Sequence, residues 1–213
     1  MALHDTRAPD ADRPLDHVDF GPGVGADVER RLLGEVAGKR ILELGCGAGH
    51  VAVGLATRGA RVIAVDAEVA QLAAARALAG REDVTIEFHQ AHPAELAFLP
   101  ADHVHHALAI TSLSFVAELD RVFRQVHRVV RPSGHLVLAV PHPAALCADP
   151  DDPDRVTSAW DRTEPIGDRW VHTAESIVAS LGRANFAVDT LLERRAAGLH
   201  PATLVVRARK LGV

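Results

Sequence analysis

The chain has 213 residues, 48% of them hydrophobic and 24% charged, with a formal net charge of −5, which allows one domain with a full core and lacks the basic footprint that a nucleic-acid partner requires. Its two cysteines, Cys46 and Cys147, give no disulfide framework and suit a reducing compartment. With no leader-like start and no apolar run near the ~18 residues of a membrane span, a cytoplasmic protein without a membrane partner is expected.

Residues 1–23 are polar and rich in proline and glycine, and read as a loose arm ending at Phe20-Gly21-Pro22-Gly23. From 26 to 36 the pattern is helical, with Val28, Leu32, Leu33 and Val36 on one face. Alternation then begins: a strand at 40–44, a glycine turn, a helix at 48–58 stopped by Gly59, and a strand at 61–65 that is apolar after its first residue. A helix at 67–79, strands at 84–88 and 103–110, an amphipathic helix at 115–130 and a turn at 131–134 lead to a strand at 135–140. Residues 141–172 break the rhythm with five prolines, six aspartates and both tryptophans. Trp160 and Trp170 are costly to leave in water, so this long segment reads as a folded lid. Its acids Asp149, Asp151, Asp152 and Asp154 read as a solvated run. A helix at 173–184 precedes strands at 186–193 and 203–209, which should pair antiparallel because no helix separates them. Strands alternating with helices imply an α/β fold with a mostly parallel, doubly wound sheet.

The stretch ILELGCGAGH, residues 41–50, carries the chemistry. A strand, a turn with Gly45, Gly47 and Gly49, a helix, and a second strand ending in Asp66 describe a nucleoside site, where the acid can accept from both ribose hydroxyls. That much would serve NAD as well. Glu43 separates the alternatives: like charges ~4 Å apart at an effective dielectric of 20 repel by roughly 4 kcal/mol. A carboxylate beneath the turn therefore disfavours a pyrophosphate and favours an ammonium group.

With Asp19-Phe20-Gly21-Pro22 before it and VIAVD, VVRPSGHLVLAVPHP, WVHT and TLVVRARK after it, this stretch resembles class I S-adenosylmethionine-dependent methyltransferases, and more closely their small bacterial members. The resemblance implies a Rossmann-like, doubly wound, seven-stranded sheet of order 3-2-1-4-5-7-6, mostly parallel with the last strand antiparallel. It implies a single domain over 1–213, with an arm at 1–23 and a lid at 141–172. It also implies S-adenosylmethionine as cofactor, S-adenosylhomocysteine as product, and a small-molecule acceptor methylated on O, N or C. Glu43, Gly45 and Gly47, with Cys46 and Gly49 in the same turn, would hold the methionine part. Asp66, followed by Ala67, would hold the ribose. Phe20 and Gly21 of the arm would lie over the cofactor, Phe20 standing where a tyrosine is usual, and Ile110-Thr111-Ser112 would sit beside the reacting end. His92 stands where many relatives carry an aspartate that accepts from the adenine amino group. A neutral imidazole can take that role and an imidazolium cannot, so binding is expected to weaken as pH falls through the histidine range.

Among the thirteen histidines, His103 and His105 share a strand face but sit at its amino end, away from the ligand edge, so no metal is expected there. His50 reads as a helix-start residue. His142, which follows the strand at 135–140 at the correct edge, and His172, which closes the lid segment just before its helix, are candidate general bases. A cofactor-binding module without methyl transfer and an NAD-dependent oxidoreductase are the rival readings. The oligomeric state, a homodimer included, is left open.

Overall fold

The computed structural model describes residues 13–149, 151–161, 164–196 and 198–212; the first twelve residues of the expected arm and positions 150, 162 and 163 of the expected lid lie outside them. In chain order the elements are α1 (Asp27–Leu33), β1 (Arg40–Leu44), α2 (His50–Thr57), β2 (Arg61–Asp66), α3 (Val69–Arg81), β3 (Glu87–Gln90) and β4 (Val104–Ile110). A 3-10 turn (Ser112–Phe115) leads to α4 (Leu119–Val129), β5 (Val130–Pro141), α5 (Pro143–Leu146), α6 (Ala174–Arg183), β6 (Phe186–Arg194) and β7 (Thr203–Lys210). The strands form one sheet of order β3-β2-β1-β4-β5-β7-β6. All neighbours are parallel up to β5, and β7 is antiparallel to both β5 and β6. This is the doubly wound fold expected from the sequence.

Both faces of the sheet are covered, which is why β1, β2 and β4 are near-continuous apolar runs. On one face Leu42, Leu44, Ile63 and Val65 pack against Val122, Phe123 and Val126 of α4 and Ile177 and Leu181 of α6. On the other, Ile41, Val62, Leu108 and Ile110 pack against α1 and α2, and Val18 and Phe20 of the arm join the same cluster.

Four local expectations are corrected. The strand expected at 84–88 pairs only from Glu87, because Val84 caps the end of α3 through Ala79 O and packs with Ile86 on the α2/α3 cluster. The helix expected from 115 begins at Leu119: Thr111 adopts φ 63° and Val116 is extended, which isolates residues 112–115 as a tight turn. Residues 131–134, expected as a turn, lie within β5 beside a register shift against β4. Finally, Trp160 is 52% exposed, so its burial does not hold the 141–172 segment. That segment is organised by α5, by bridges between Ala148 and Val156 and between Ile166 and Arg169, and by Asp154 accepting from Leu199 N–H at 2.5 Å.

The described arm is fastened at both ends. A Cβ on Gly54, in the middle of α2, would lie 2.5 Å from Leu15 O. Thr203 Oγ1 donates to Pro22 O at 2.8 Å, and a Cβ on Gly23 would lie 2.2 Å from Arg195 O. Alanine in a helix interior usually gains ~1 kcal/mol over glycine. Here the arm backbone occupies the space, so Gly54→Ala is expected to cost roughly 1–3 kcal/mol instead. Thermal unfolding and protease cutting within residues 13–24 check this; a stabilised, equally resistant variant would show that the arm does not press on α2.

Candidate functional site

The order of strands reverses between β1 and β4, which opens a crevice at their carboxyl ends. A cavity of about 240 Å³ lies there, lined by Gly45, Asp66, Ala67, Glu68, His92, Pro93, Ser112, Phe115 and Val116. Four of the residues singled out in the sequence as cofactor-binding, Gly45, Asp66, Ala67 and His92, come together in this lining. Ser112, noted with the strand tip, is a fifth. Glu68, Pro93, Phe115 and Val116 were missed; Glu68 follows the acid directly, whereas Phe115 and Val116 were hidden inside an expected helix.

Asp66 is buried at the end of β2, and both of its oxygens already accept a backbone proton: Oδ2 from Gly47 N–H at 2.8 Å and Oδ1 from Glu68 N–H at 2.9 Å. The carboxylate thus fixes the glycine turn before it meets any ligand. Each oxygen keeps lone-pair capacity for a hydroxyl donor.

The glycines answer to the protein's own packing. Gly45, Gly47 and Gly49 all have positive φ (68°, 53° and 88°). A Cβ on Gly45 would lie 2.3 Å from Ser112 Cβ, and one on Gly49 would lie 2.7 Å from Ala75 Cβ on α3. Ser112, whose Oγ donates to Leu44 O at 2.5 Å, and α3 occupy the space that a side chain at these two positions would need. That close approach brings the tips of β1 and β4 together as the cavity's edge.

Glu43 sits mid-sheet, paired with Ala64 and Leu108, and is 3% exposed. Its Oε2 is fully buried and has no hydrogen-bond partner among the described residues. Burial raises its pKa well above the usual carboxylate value; the Asp66 charge adds to this, and the Ala52 backbone N–H in the first turn of α2 works against it. A carboxyl so placed holds its proton more tightly than an exposed one, and a nearby cation would favour its charged form. The chemistry of these groups fits a nucleoside bearing an ammonium group: Asp66 in the cavity lining can accept from hydroxyls, and the nearby buried Glu43 keeps an oxygen without a partner among the described residues. Cys46 is buried beside Glu43, and burial first, then the two carboxyls, push its thiol pKa far up. It stays a protonated thiol donating to Gly47 O.

Other residues are placed differently from expectation. Phe20 is 1% exposed, packed with Val18, Ile41 and Leu108, and does not line the cavity. Gly21 donates to Asp19 Oδ1 and abuts Thr203. Ile110 and Thr111 are buried behind Ser112. His92 Nδ1 accepts from Ala94 N–H at 3.1 Å, so the proton of the neutral ring is on Nε2. With that tautomer Nε2 is a donor and not the acceptor expected of His92 from the sequence.

Both candidate bases are engaged elsewhere. His142 Nδ1 caps α5 by accepting from Ala144 N–H at 3.1 Å, which leaves Nε2–H to donate to Glu193 Oε1 at 3.1 Å. His172 is buried, and its Nε2 lies 3.1 Å from Leu113 O and 2.9 Å from Val116 O. It lines a groove between α4 and α6 that shares no lining residue with the cavity. At the opposite edge of the sheet, His103 and His105 are both engaged by Arg40. No cluster of three or more possible metal ligands occurs among the described residues.

Comparison with known proteins places this geometry in context. A family model described as a methyltransferase domain matches residues 42–138. A ubiquinone biosynthesis O-methyltransferase of Alkalilimnicola ehrlichii is 32% identical over 113 residues, 53% of this chain and 46% of that protein. The chain thus spans about half the length of the curated relatives it matches. The crystal structure of an S-adenosylmethionine dependent methyltransferase from Mesorhizobium loti matches with TM-score 0.71 and 28% identity, over 85% of this chain and 95% of that one. A 4+2 cyclase shares the fold at TM-score 0.69 and 21% identity, over 86% of this chain and 78% of that one.

Glu43 makes stability depend on pH with a definite sign. Its folded pKa is raised above its unfolded one, so the folded chain keeps a proton that the unfolded chain has released. Stability that is complete below the ordinary carboxylate range is lost as pH rises through the raised value. Glu43→Gln removes that loss. The ligand-free variant is expected to match the parent near pH 4 and to melt progressively higher than the parent as pH rises to 8. A variant that melts lower than the parent at pH 8 would mean that Glu43 is ionised and partnered in the free protein.

Proposed function

We propose that this chain, whose fold is that of the class I S-adenosylmethionine-dependent methyltransferases and whose residues 42–138 match a methyltransferase-domain model, binds S-adenosylmethionine and methylates an oxygen of a small-molecule acceptor. The observation that carries this is the cavity at the reversal of strand order whose lining brings Gly45, Asp66 and His92 together, with the buried Glu43, whose Oε2 has no partner among the described residues, two positions before Gly45 on β1. Glu43 would take the ammonium group and Asp66 the ribose hydroxyls, each charge-assisted bond contributing about 1.5–3 kcal/mol. His92 Nε2–H would meet the base. When bound, the cofactor supplies a methyl group activated by its sulfonium charge.

The residues present orient and enclose rather than move protons. With His142 and His172 committed to Glu193 and to backbone carbonyls, neither supplies a free lone pair at the cavity. Methyl transfer is an in-line displacement for which orientation alone can supply ~7–11 kcal/mol. An acceptor with an acidic hydroxyl of its own, such as a phenol, suits a site without a base. The choice of oxygen follows the curated relatives, which are named O-methyltransferases. The arm and the 141–172 segment would cover the acceptor. NAD is disfavoured: the antiparallel β7 between β5 and β6 departs from the dinucleotide-binding strand order. No helix among the described residues is long and apolar enough to cross a membrane.

A second reading, a module that holds the cofactor without transferring its methyl group, draws on the committed histidines. Two measurements separate these readings. Calorimetry is expected to give binding of S-adenosylmethionine and S-adenosylhomocysteine, and none of NAD. Incubation of S-adenosylmethionine with a panel of phenols is expected to release S-adenosylhomocysteine, with His142→Ala within about threefold of the parent because the ring is a cap and not a base. Tight binding with no product across phenol, amine and carbon acceptors would favour the non-catalytic module. A His142→Ala variant slowed by about 100-fold or more, the scale of a lost general base, would restore that role to His142.

A further inference from the structure

The 3-10 turn between β4 and α4 has two occupied sides. On one, Ser112, Phe115 and Val116 line the cavity. On the other, the end of the 141–172 segment is fastened to the turn at nearly every residue. Trp170 N–H donates to Ser114 O at 2.6 Å. The Arg169 guanidinium lies 4.7 Å from the centre of the Phe115 ring. His172 Nε2 faces Leu113 O and Val116 O together. Carbonyl oxygens only accept, so Nε2 carries the proton and one N–H bridges the two ends of the turn. The turn needs such a brace: it begins at Thr111, a β-branched residue held at φ 63°, where such residues are rare. Ser114 Oγ, donating to Thr111 O, is the local fastening.

We propose that His172 is a positioning residue that locks residues 112–116 to residues 169–172 as one unit, so that filling the cavity is transmitted through the turn to Trp170 and the lid segment. This rests on the reading that the cavity receives the cofactor. Because the same turn is wall to the cavity and anchor to the lid, occupancy on one side sets the position of the other. The acceptor, if it lies beneath that segment, meets a surface already arranged by the cofactor. Burial holds the His172 ring neutral, in keeping with a structural donor.

The chain contains two tryptophans, and Trp160 is exposed, so Trp160→Phe leaves Trp170 as the sole reporter. In that background S-adenosylhomocysteine is titrated by calorimetry and by fluorescence in parallel. Trp170 emission is expected to change in step with calorimetric occupancy. Adding His172→Leu should weaken binding by about tenfold, the scale of two lost buried hydrogen bonds, and remove the emission change at saturation. Adding His172→Gln, which returns an N–H donor, should restore most of both. Should His172→Leu fail to fold, the parent and His172→Gln decide. Calorimetric binding with unmoved Trp170 emission overturns the coupling, as does a His172→Leu variant that binds and reports like its parent. Absence of calorimetric binding to the parent defeats the cofactor reading itself, and the coupling with it.

Discussion

A carboxyl group buried in the middle of a parallel sheet, with one oxygen left without a partner, is the constraint on which the site depends. Leaving a buried acceptor unsatisfied costs of order 1–3 kcal/mol, and burying it charged would cost more. Burial raises the Glu43 pKa and so favours its protonated form, which lessens the second cost; Asp66, already satisfied by two backbone N–H groups, acts in the same direction. The first cost remains, and a cation that reaches Oε2 removes it. On the proposed reading, cofactor affinity and the instability of the free protein would have one origin. The α2 N-terminus, through Ala52 N–H, reduces that penalty but does not cancel it.

The rest of the crevice is built by close packing of backbone. Gly45 lets Ser112 reach Leu44 O, which brings the tips of β1 and β4 together where the strand order reverses. Gly49 lets α3 press on the start of α2. Asp66 draws the Gly47 turn towards β2 while retaining lone pairs for a ligand. A motif often explained by what it binds is here explained first by what it touches within the chain. Its bareness is a condition for the cavity's shape, and the ligand meets side chains and N–H groups that this packing has already set.

Much of this was legible in the sequence. The alternation of apolar runs with helical stripes carried the sheet, and the absence of a helix between the last two strands carried their antiparallel pairing. Asp66 at the end of the second strand, and Gly45 in the turn after the first, were legible and both line the cavity. Contacts made by distant residues were not legible: nothing local to Gly45 names Ser112, and nothing local to His172 names Leu113 and Val116. Ring protonation was hidden too, since the tautomers of His92 and His142 follow from the N–H groups of Ala94 and Ala144, two residues on, once the chain turns there. Phe20 belonged to the core because the arm crosses α2 at Gly54, a crossing that periodicity does not encode. Trp160 shows the opposite limit, a large apolar side chain that the fold leaves exposed.

If Glu43 is neutral when free and ionised beneath an ammonium group, binding must release its proton. Calorimetric titration with S-adenosylhomocysteine near pH 7, in buffers of differing ionisation enthalpy, measures that proton directly. Net release in the parent that disappears in Glu43→Gln is the expected result. Binding enthalpies independent of buffer, or the same release from both proteins, would contradict it.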